Sequence, residues 1–457
     1  MAAVRSALPA FALAALAVFA PSMARSQGGR APSRTGYWPS ATCANCHPRT
    51  VEQHMQSHHE TSFMNPLFQA QYFEELLPKA SRDPKLAEEA RSCTACHAPV
   101  AFATQKTHFS GEMTADPSMS GVTCDLCHTI SGYEGPTPRN GNFISRPSEQ
   151  KLGPFPSGTN WHHVYSELQT KSEFCATCHE AVNHNGVLVK GTYSEWKKSS
   201  FAERGVQCQD CHMTRDGFQV ESGSRFESGA AAQGGLFKAP IRDKLYTHRF
   251  PGAHARAQVE GAIAVSFVRP PEQAGPGDTV AFSIQVDNHR TGHRMPSGSA
   301  DLRLLWLEVT ARAGPKSWPV PARAKALGGY SVAGTGDRDP ELLSSDVPLG
   351  ARTYRAVYFD ESGRQTLSSY EAARIVWDNR LDPGERRNEA YEFTIPAEVR
   401  GTLRLEARLV YLSFPTWLAK RMEVRAAEPI QVAAATAQVA VSSAPHGPAV
   451  KRGGPPR

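Results

Sequence analysis

The chain has 457 residues, 40% of them apolar and 21% charged, with 36 Gly and 34 Pro, which excludes a collagenous or wholly disordered chain. Lys and Arg number 50 against 44 Asp and Glu, and the net +6 is spread without a basic block, so nucleic-acid binding has no compositional support. The informative residues are the 17 His and 10 Cys.

Residues 1–24 read as a secretory signal peptide, because Arg5 precedes an apolar run from Leu8 to Ala20 and Ser22-Met23-Ala24 supplies the small residues of a cleavage site. The run stops at Pro21, short of the roughly 20 apolar residues a membrane span needs. The first cysteine is Cys43, so none stands at the cleavage site to carry a lipid. The mature chain is expected to be periplasmic or extracellular and to have no transmembrane segment.

Residues 25–255 form the next expected unit. His54, His58 and His59 follow the first Cys pair on an expected helix, where His54 and His58 share a face. Asn65 to Leu77 has the spacing of an amphipathic helix, and Asp83-Pro84 opens another with Asp as cap and Pro in the first turn. Ser131 to Asn160 is rich in Gly and Pro without a usable period, as expected of a loop that wraps something. Thr192 to Glu195 reads as a capping box before a helix from Trp196 to Glu203, closed by Gly205.

From Gly261 the period becomes two: Ile263, Val265, Phe267; then Val280, Phe282, Ile284, Val286; then Leu403, Leu405, Ala407, Leu409, Tyr411. Further strands are expected within Leu302 to Ala311, Thr353 to Phe359 and Tyr391 to Ile395. Residues 256–441 are therefore expected to be a β-sandwich-like domain, and 442–457 a disordered tail.

All ten cysteines fall in five copies of Cys-x-x-Cys-His: Cys43-Cys46-His47, Cys93-Cys96-His97, Cys124-Cys127-His128, Cys175-Cys178-His179 and Cys208-Cys211-His212. Two thiols add across the vinyl groups of one haem while the adjacent imidazole reaches the iron, so each motif specifies one covalent haem c. Disulfides, zinc sites and redox dithiols all use Cys, but none explains the fifth residue. With His at about 4% of positions, its chance recurrence after all five pairs is on the order of one in ten million. The fold class follows: a mainly α, loop-rich multihaem domain, then an all-β domain.

Motif starts at 43, 93, 124, 175 and 208 alternate long and short steps, which suggests two haem-pair units, 93 to 128 and 175 to 212. A second axial ligand for each iron must come from the twelve other His: His54, His58, His59, His108, His162, His163, His184, His248, His254, His289, His293 and His446. His248 and His254 close the haem domain, and His293 lies in a loop after the strand ending at Val286, where a domain end can reach across an interface. Met295 is a weaker alternative there.

The segments Cys43 to His59, Gly121 to His128, Trp196 to Met213 and Gly292 to Gly298 resemble the multihaem cytochromes c related to the tetrahaem cytochrome c of ammonia oxidisers and to hydroxylamine oxidoreductase, with a segment layout similar to pentahaem nitrite reductases. The resemblance covers residues 37 to 300. It implies His59, His248 or His254, and His293 as distal ligands. Pentahaem nitrite reductases typically carry Lys in place of the motif His at their catalytic haem, whereas all five motifs here end in His, which counts against nitrite ammonification. No Tyr is assignable to a crosslink of the hydroxylamine oxidoreductase type.

The function expected is electron transfer between a redox protein donor and a redox protein acceptor, through five covalently attached haem c groups. Each ferric haem c with two ionised propionates adds about −1, which brings the holoprotein close to neutral, so docking depends on local patches. The alternative is a reductase or oxidase of a small nitrogen or sulfur compound at one haem with an open coordination position.

Overall fold

The computed structural model describes residues 35–104, 119, 121–156, 162–215, 219–220, 223–224, 226–234, 239–323, 329–334 and 346–442. The expected signal segment 1–24, His108, His446 and all but the first residue of the expected tail lie outside the described residues. Among the described residues no helix is long and apolar enough to cross a membrane.

Up to about residue 255 the regular structure is short helices and two-stranded ribbons. Helix α1 spans Pro48–Met55 and α2 spans Pro84–His97. Asp83 caps α2 by accepting from Lys85 N at 2.9 Å, and motif 2 forms the last turn of that helix. The segment from Asn65 is helical as its spacing predicts: Asn65 accepts from Phe68 N at 3.0 Å, and Leu67, Tyr72 and Leu76 are buried. It widens to a π-helix over Ala70–Leu76. Helix α3, Ser172–His179, carries motif 4, and α4 is Thr192–Lys197.

Two local expectations are corrected. Helix α1 stops at Met55, so His58 and His59 lie past its end and share no helical face with His54. The cap of α4 is Gly191, not Thr192, and the chain breaks at Lys198 before a second short helix, Ser200–Glu203, capped by Ser199. Glu195 does not fold back onto its own helix end because its carboxylate is engaged by Arg380 at 2.8 Å and Ser297 at 2.6 Å.

Of the stretch from Ser131 to Asn160, residues 131–156 are described. It supplies a hairpin, Ile130–Tyr133 with Phe143–Ser145, and a short strand, Lys151–Gly153, parallel to His163–Tyr165.

Beyond residue 260 the chain is mostly strand. Strand β1, Ala264–Val268, pairs antiparallel with β2, Thr279–Asp287. Next come β3, Leu304–Ala313; β4, Arg352–Tyr354; β5, Ala356–Phe359; β6, Arg386–Thr394; β7, Gly401–Leu412; and β8, Ile430–Val441. One sheet runs β1-β2-β6. A second runs β8-β7-β3, extended by Gln273–Ala274 at one edge and Lys316–Pro319 at the other, with β4 also paired to β3. The expected strand Thr353 to Phe359 is split at Arg355, so that β4 joins the second sheet and β5 pairs with Gln365–Thr366 and Arg374–Asp378.

The period-two residues explain the packing. Val280, Phe282, Ile284 and Val286 of β2 and Leu403, Leu405, Ala407 and Leu409 of β7 belong to one buried cluster, which both sheets line. Leu304, Trp306, Val410 and Leu412 point the other way and are covered by Ala333, Val347 and Ala351.

Candidate haem-binding cavity

A cavity of about 1960 Å³ runs through the N-terminal half, and its wall includes all ten cysteines and all five motif histidines. No two of the ten cysteines are joined by a disulfide. Among the described residues no group of three or more His, Cys, Asp or Glu is placed to hold a metal ion by itself.

The thiols set the order of the motifs in space. The Cys43 thiol interacts directly with that of Cys124, which holds Cys43 low and pushes Cys124 well up. The Cys175 thiol meets that of Cys208, and Cys127 acts on Cys175 through charge. The Cys96 sulfur lies 3.8 Å from the Cys178 carbonyl oxygen. Motif 1 therefore adjoins motif 3, motif 4 adjoins motif 5, and motif 2 adjoins motif 4. Motifs 4 and 5 adjoin as the repeat suggests, and motif 2 also meets motif 4.

Backbone carbonyls orient the motif imidazoles. The Nδ1 of His47 is 2.8 Å from the Ala231 carbonyl, that of His97 is 3.0 Å from Ser62, and that of His128 is 2.6 Å from Leu152. A carbonyl only accepts, so Nδ1 carries the proton and Nε2 is left as the electron-pair donor toward the cavity. Burial lowers His97 and His212 to about 4, which keeps both imidazoles neutral, as metal ligation requires.

Four motif imidazoles face a second imidazole at nearly constant spacing. Ring centroids are 6.3 Å apart for His47 and His162, 6.2 Å for His128 and His248, 6.1 Å for His179 and His59, and 6.3 Å for His212 and His293. Two imidazoles that share one metal ion stand about 6 Å apart, since each metal–nitrogen bond is roughly 2 Å and each nitrogen lies roughly 1 Å from its ring centre. With two thiols beside each motif His, the donor set fits haem c. His97 has no such partner among the described residues; its ring stacks on Phe68 at 3.8 Å.

Local structure brings the second imidazoles in. Gly121 leads into motif 3, and a Cβ there would sit 2.0 Å from the Glu60 carbonyl oxygen. That close approach, with Val122 N donating to His59 O at 2.8 Å, presses the His59 turn against the cavity. His248 is anchored by its N–H, which donates to Gln53 Oε1 at 2.9 Å, and Thr247 N donates to Met213 O at 2.8 Å. Burial lowers His59 and His248 to about 3.

His293 arrives from the β domain. Fully buried Asn288 donates to the carbonyls of His293, Leu381 and Asp382, and Thr291 Oγ1 donates to His293 O at 2.9 Å. The loop is clamped to the haem side through Glu195, which accepts from Arg380, Ser297 and Arg294 N. Met295 packs in the β-domain core.

His254, a candidate in the sequence, is not brought opposite a motif imidazole. It lies 5.3 Å from His58, its Nδ1 is 2.9 Å from Ser413 Oγ, and the left-handed turn at Gly252 leaves no room beside the His58 ring. His54 is engaged at both nitrogens, 3.0 Å from Val122 O and 3.1 Å from Glu60. Burial opposes its charge, but Cys124 and Glu60 outweigh burial and raise it to about 10.

His162 was one of twelve candidates with nothing to select it. It is positioned by Lys151–Gly153, whose Lys151 N donates to His162 O and whose Leu152 N donates to His128 O at 2.7 Å. Its neighbour His163 turns away to the Phe155 carbonyl at 2.8 Å.

Residues 42–129 match the family model described as cytochrome c554 and c-prime. Among solved structures, a penta-heme cytochrome c552 from Thermochromatium tepidum shares the fold, with a TM-score of 0.61 over 88% of this chain and 99% of that chain at 20% identity. The CARDB domain of the PF1109 protein from Pyrococcus furiosus covers 39% of this chain and 87% of its own, with 11% identity and a TM-score of 0.16. The sporulation control protein Spo0M from Bacillus subtilis covers 40% and 49%, with 11% identity and a TM-score of 0.16. No curated protein matches the chain by sequence. The motifs, the family match and the shared fold together support a multihaem cytochrome c.

Proposed function

We propose that the chain is an exported pentahaem c-type cytochrome that passes electrons between a redox protein donor and a redox protein acceptor. The observation that carries this reading is the set of four imidazole pairs at 6.1 to 6.3 Å within one cavity lined by ten thiols. Cys43, Cys46, Cys93, Cys96, Cys124, Cys127, Cys175, Cys178, Cys208 and Cys211 would bind the haems, with His47, His97, His128, His179 and His212 proximal and His162, His248, His59 and His293 distal. Bound haem supplies reversible one-electron chemistry, and paired imidazoles favour low potentials. The chain's own part is to hold the rings at fixed spacing, keep the imidazoles neutral and exclude water.

The leader read at 1–24 supports export, and haem c is attached outside the cytoplasm. We read the two sheets over one core as a sandwich-like module on residues 256–441, which supplies His293 to the haem unit 25–255. The likeness to the tetrahaem carrier of ammonia oxidisers and to hydroxylamine oxidoreductase rests on the motif segments.

One observation favours the enzyme alternative: among the described residues no second imidazole faces His97, so its haem is where a small nitrogen or sulfur compound would bind. Mixing fully reduced holoprotein with nitrite, hydroxylamine or tetrathionate decides between the two. A carrier stays reduced on the timescale of turnover, whereas an enzyme is reoxidised with stoichiometric product.

A further inference from the structure

Motif 2 raises a specific question, because among the described residues no second imidazole faces His97, and His108 lies outside them. Strand Leu188–Lys190 pairs antiparallel with Ala181–Val182, and Lys190 lies opposite Ala181, two residues past His179. The hairpin is tied to α2: the N–H of His184 donates to Glu89 at 2.8 Å, and His184 Nδ1 lies 3.5 Å from the same carboxylate. The Cys96 sulfur reaches the Cys178 carbonyl from the other side. These contacts set the hairpin alongside the turn that bears Cys93, Cys96 and His97.

Lys190 lines the cavity. Its ammonium is near enough to act through charge on Cys93, Cys96 and His97, on His179 of motif 4, and on the carboxyls of Glu89 and Asp301. Among the described residues no hydrogen bond or ion pair engages its amine. An unprotonated lysine amine is a competent metal ligand.

We propose that the Lys190 amine is the second axial ligand of the haem held by Cys93, Cys96 and His97. The proposal rests on the pentahaem reading and selects against an open iron at this position. It makes motif 2 chemically distinct from the four imidazole pairs, with a ligand that a small molecule could displace more easily than a clamped histidine. The competing role for Lys190 is an ammonium paired with a haem propionate.

The test is the electron paramagnetic resonance spectrum of oxidised holoprotein, for wild type, Lys190→Ala and Lys190→Arg. Arginine keeps the charge for a propionate but stays protonated and cannot ligate. The expected result is five low-spin haems in wild type and one high-spin haem of the five in both variants, returned to low spin by added imidazole. A high-spin haem already present in wild type overturns the proposal, as do variants whose five haems all remain low-spin. Haem content per chain, measured by mass on the same samples, separates failure of this proposal from failure of the pentahaem reading. Four unchanged low-spin signals show that the variants fold.

Discussion

His162 stands across the cavity from His47 with ring centroids 6.3 Å apart and ring planes at 89°, although the two belong to segments with no regular element between them in common. His162 is held through the backbone of Lys151, whose strand also receives the Nδ1 proton of His128. A short ribbon thus serves two haem positions at once.

His162→Ala is therefore expected to convert one haem of five to high spin and to open it to added imidazole, with the other four unchanged. His254→Ala should leave all five low-spin, because that ring faces His58 and Ser413. Ligand titration followed by visible absorption checks both variants. The reverse pattern would exchange the two assignments.

The legibility of the site in the sequence divides along one line. Covalent attachment is local, so five Cys-x-x-Cys-His motifs declare the cysteines and proximal imidazoles directly. Distal imidazoles are set by tertiary contacts. His293 was visible because Gly and Pro frame its loop after a strong strand, and His59 and His248 entered through resemblance. His162 sits in a stretch without periodicity, and its position depends on a parallel pairing of Lys151–Gly153 with His163–Tyr165 that no spacing announces. The β domain was legible strand by strand because one buried face imposes alternation. The split at Arg355 was not, because an apolar run does not reveal which of two sheets each half will join. The capping box failed for a related reason: Glu195 found a tertiary partner in Arg380.

That partner suggests a second prediction. Arg380 and Glu195 are 2.8 Å apart with side chains only 7% and 9% exposed, and Arg380 Nη1 also donates to Pro296 O at 3.1 Å. Arg380→Ala removes the only guanidinium described on the buried Glu195 carboxylate, which keeps Ser297 and the Arg294 N–H, and takes one of the two guanidinium partners of Asp378, at a cost of about 3–5 kcal/mol. Chemical denaturation should register that loss. The same variant should loosen the 292–298 loop, so that the haem opposite His293 exchanges its ligand for added imidazole faster than in wild type. An unchanged exchange rate would mean that the contacts of Asn288, Thr291, Arg294 and Ser297 hold the loop without Arg380.

A third prediction concerns pH. Burial raises Asp301 from 3.8 to about 6, against a smaller opposing effect of Lys190. The folded state then holds this proton more tightly than the unfolded chain, so its contribution is full below about 4 and lost as pH rises through about 6. The change is about 3 kcal/mol. Asp301→Asn removes the titrating group, so wild type should lose stability relative to the variant between pH 4 and 6 and run parallel to it above. Urea unfolding across that range gives the comparison, and parallel curves throughout would show that Asp301 is ionised at all these pH values.

The central claim is that this chain holds five haems which exchange electrons reversibly as one unit. The direct measurement is a coulometric titration of the mature holoprotein, from fully oxidised to fully reduced and back, with covalent haem counted by mass on the same sample. The account predicts five electrons per chain in each direction and superimposable spectra. Fewer than five electrons, or haem that leaves the chain on denaturation, would contradict it.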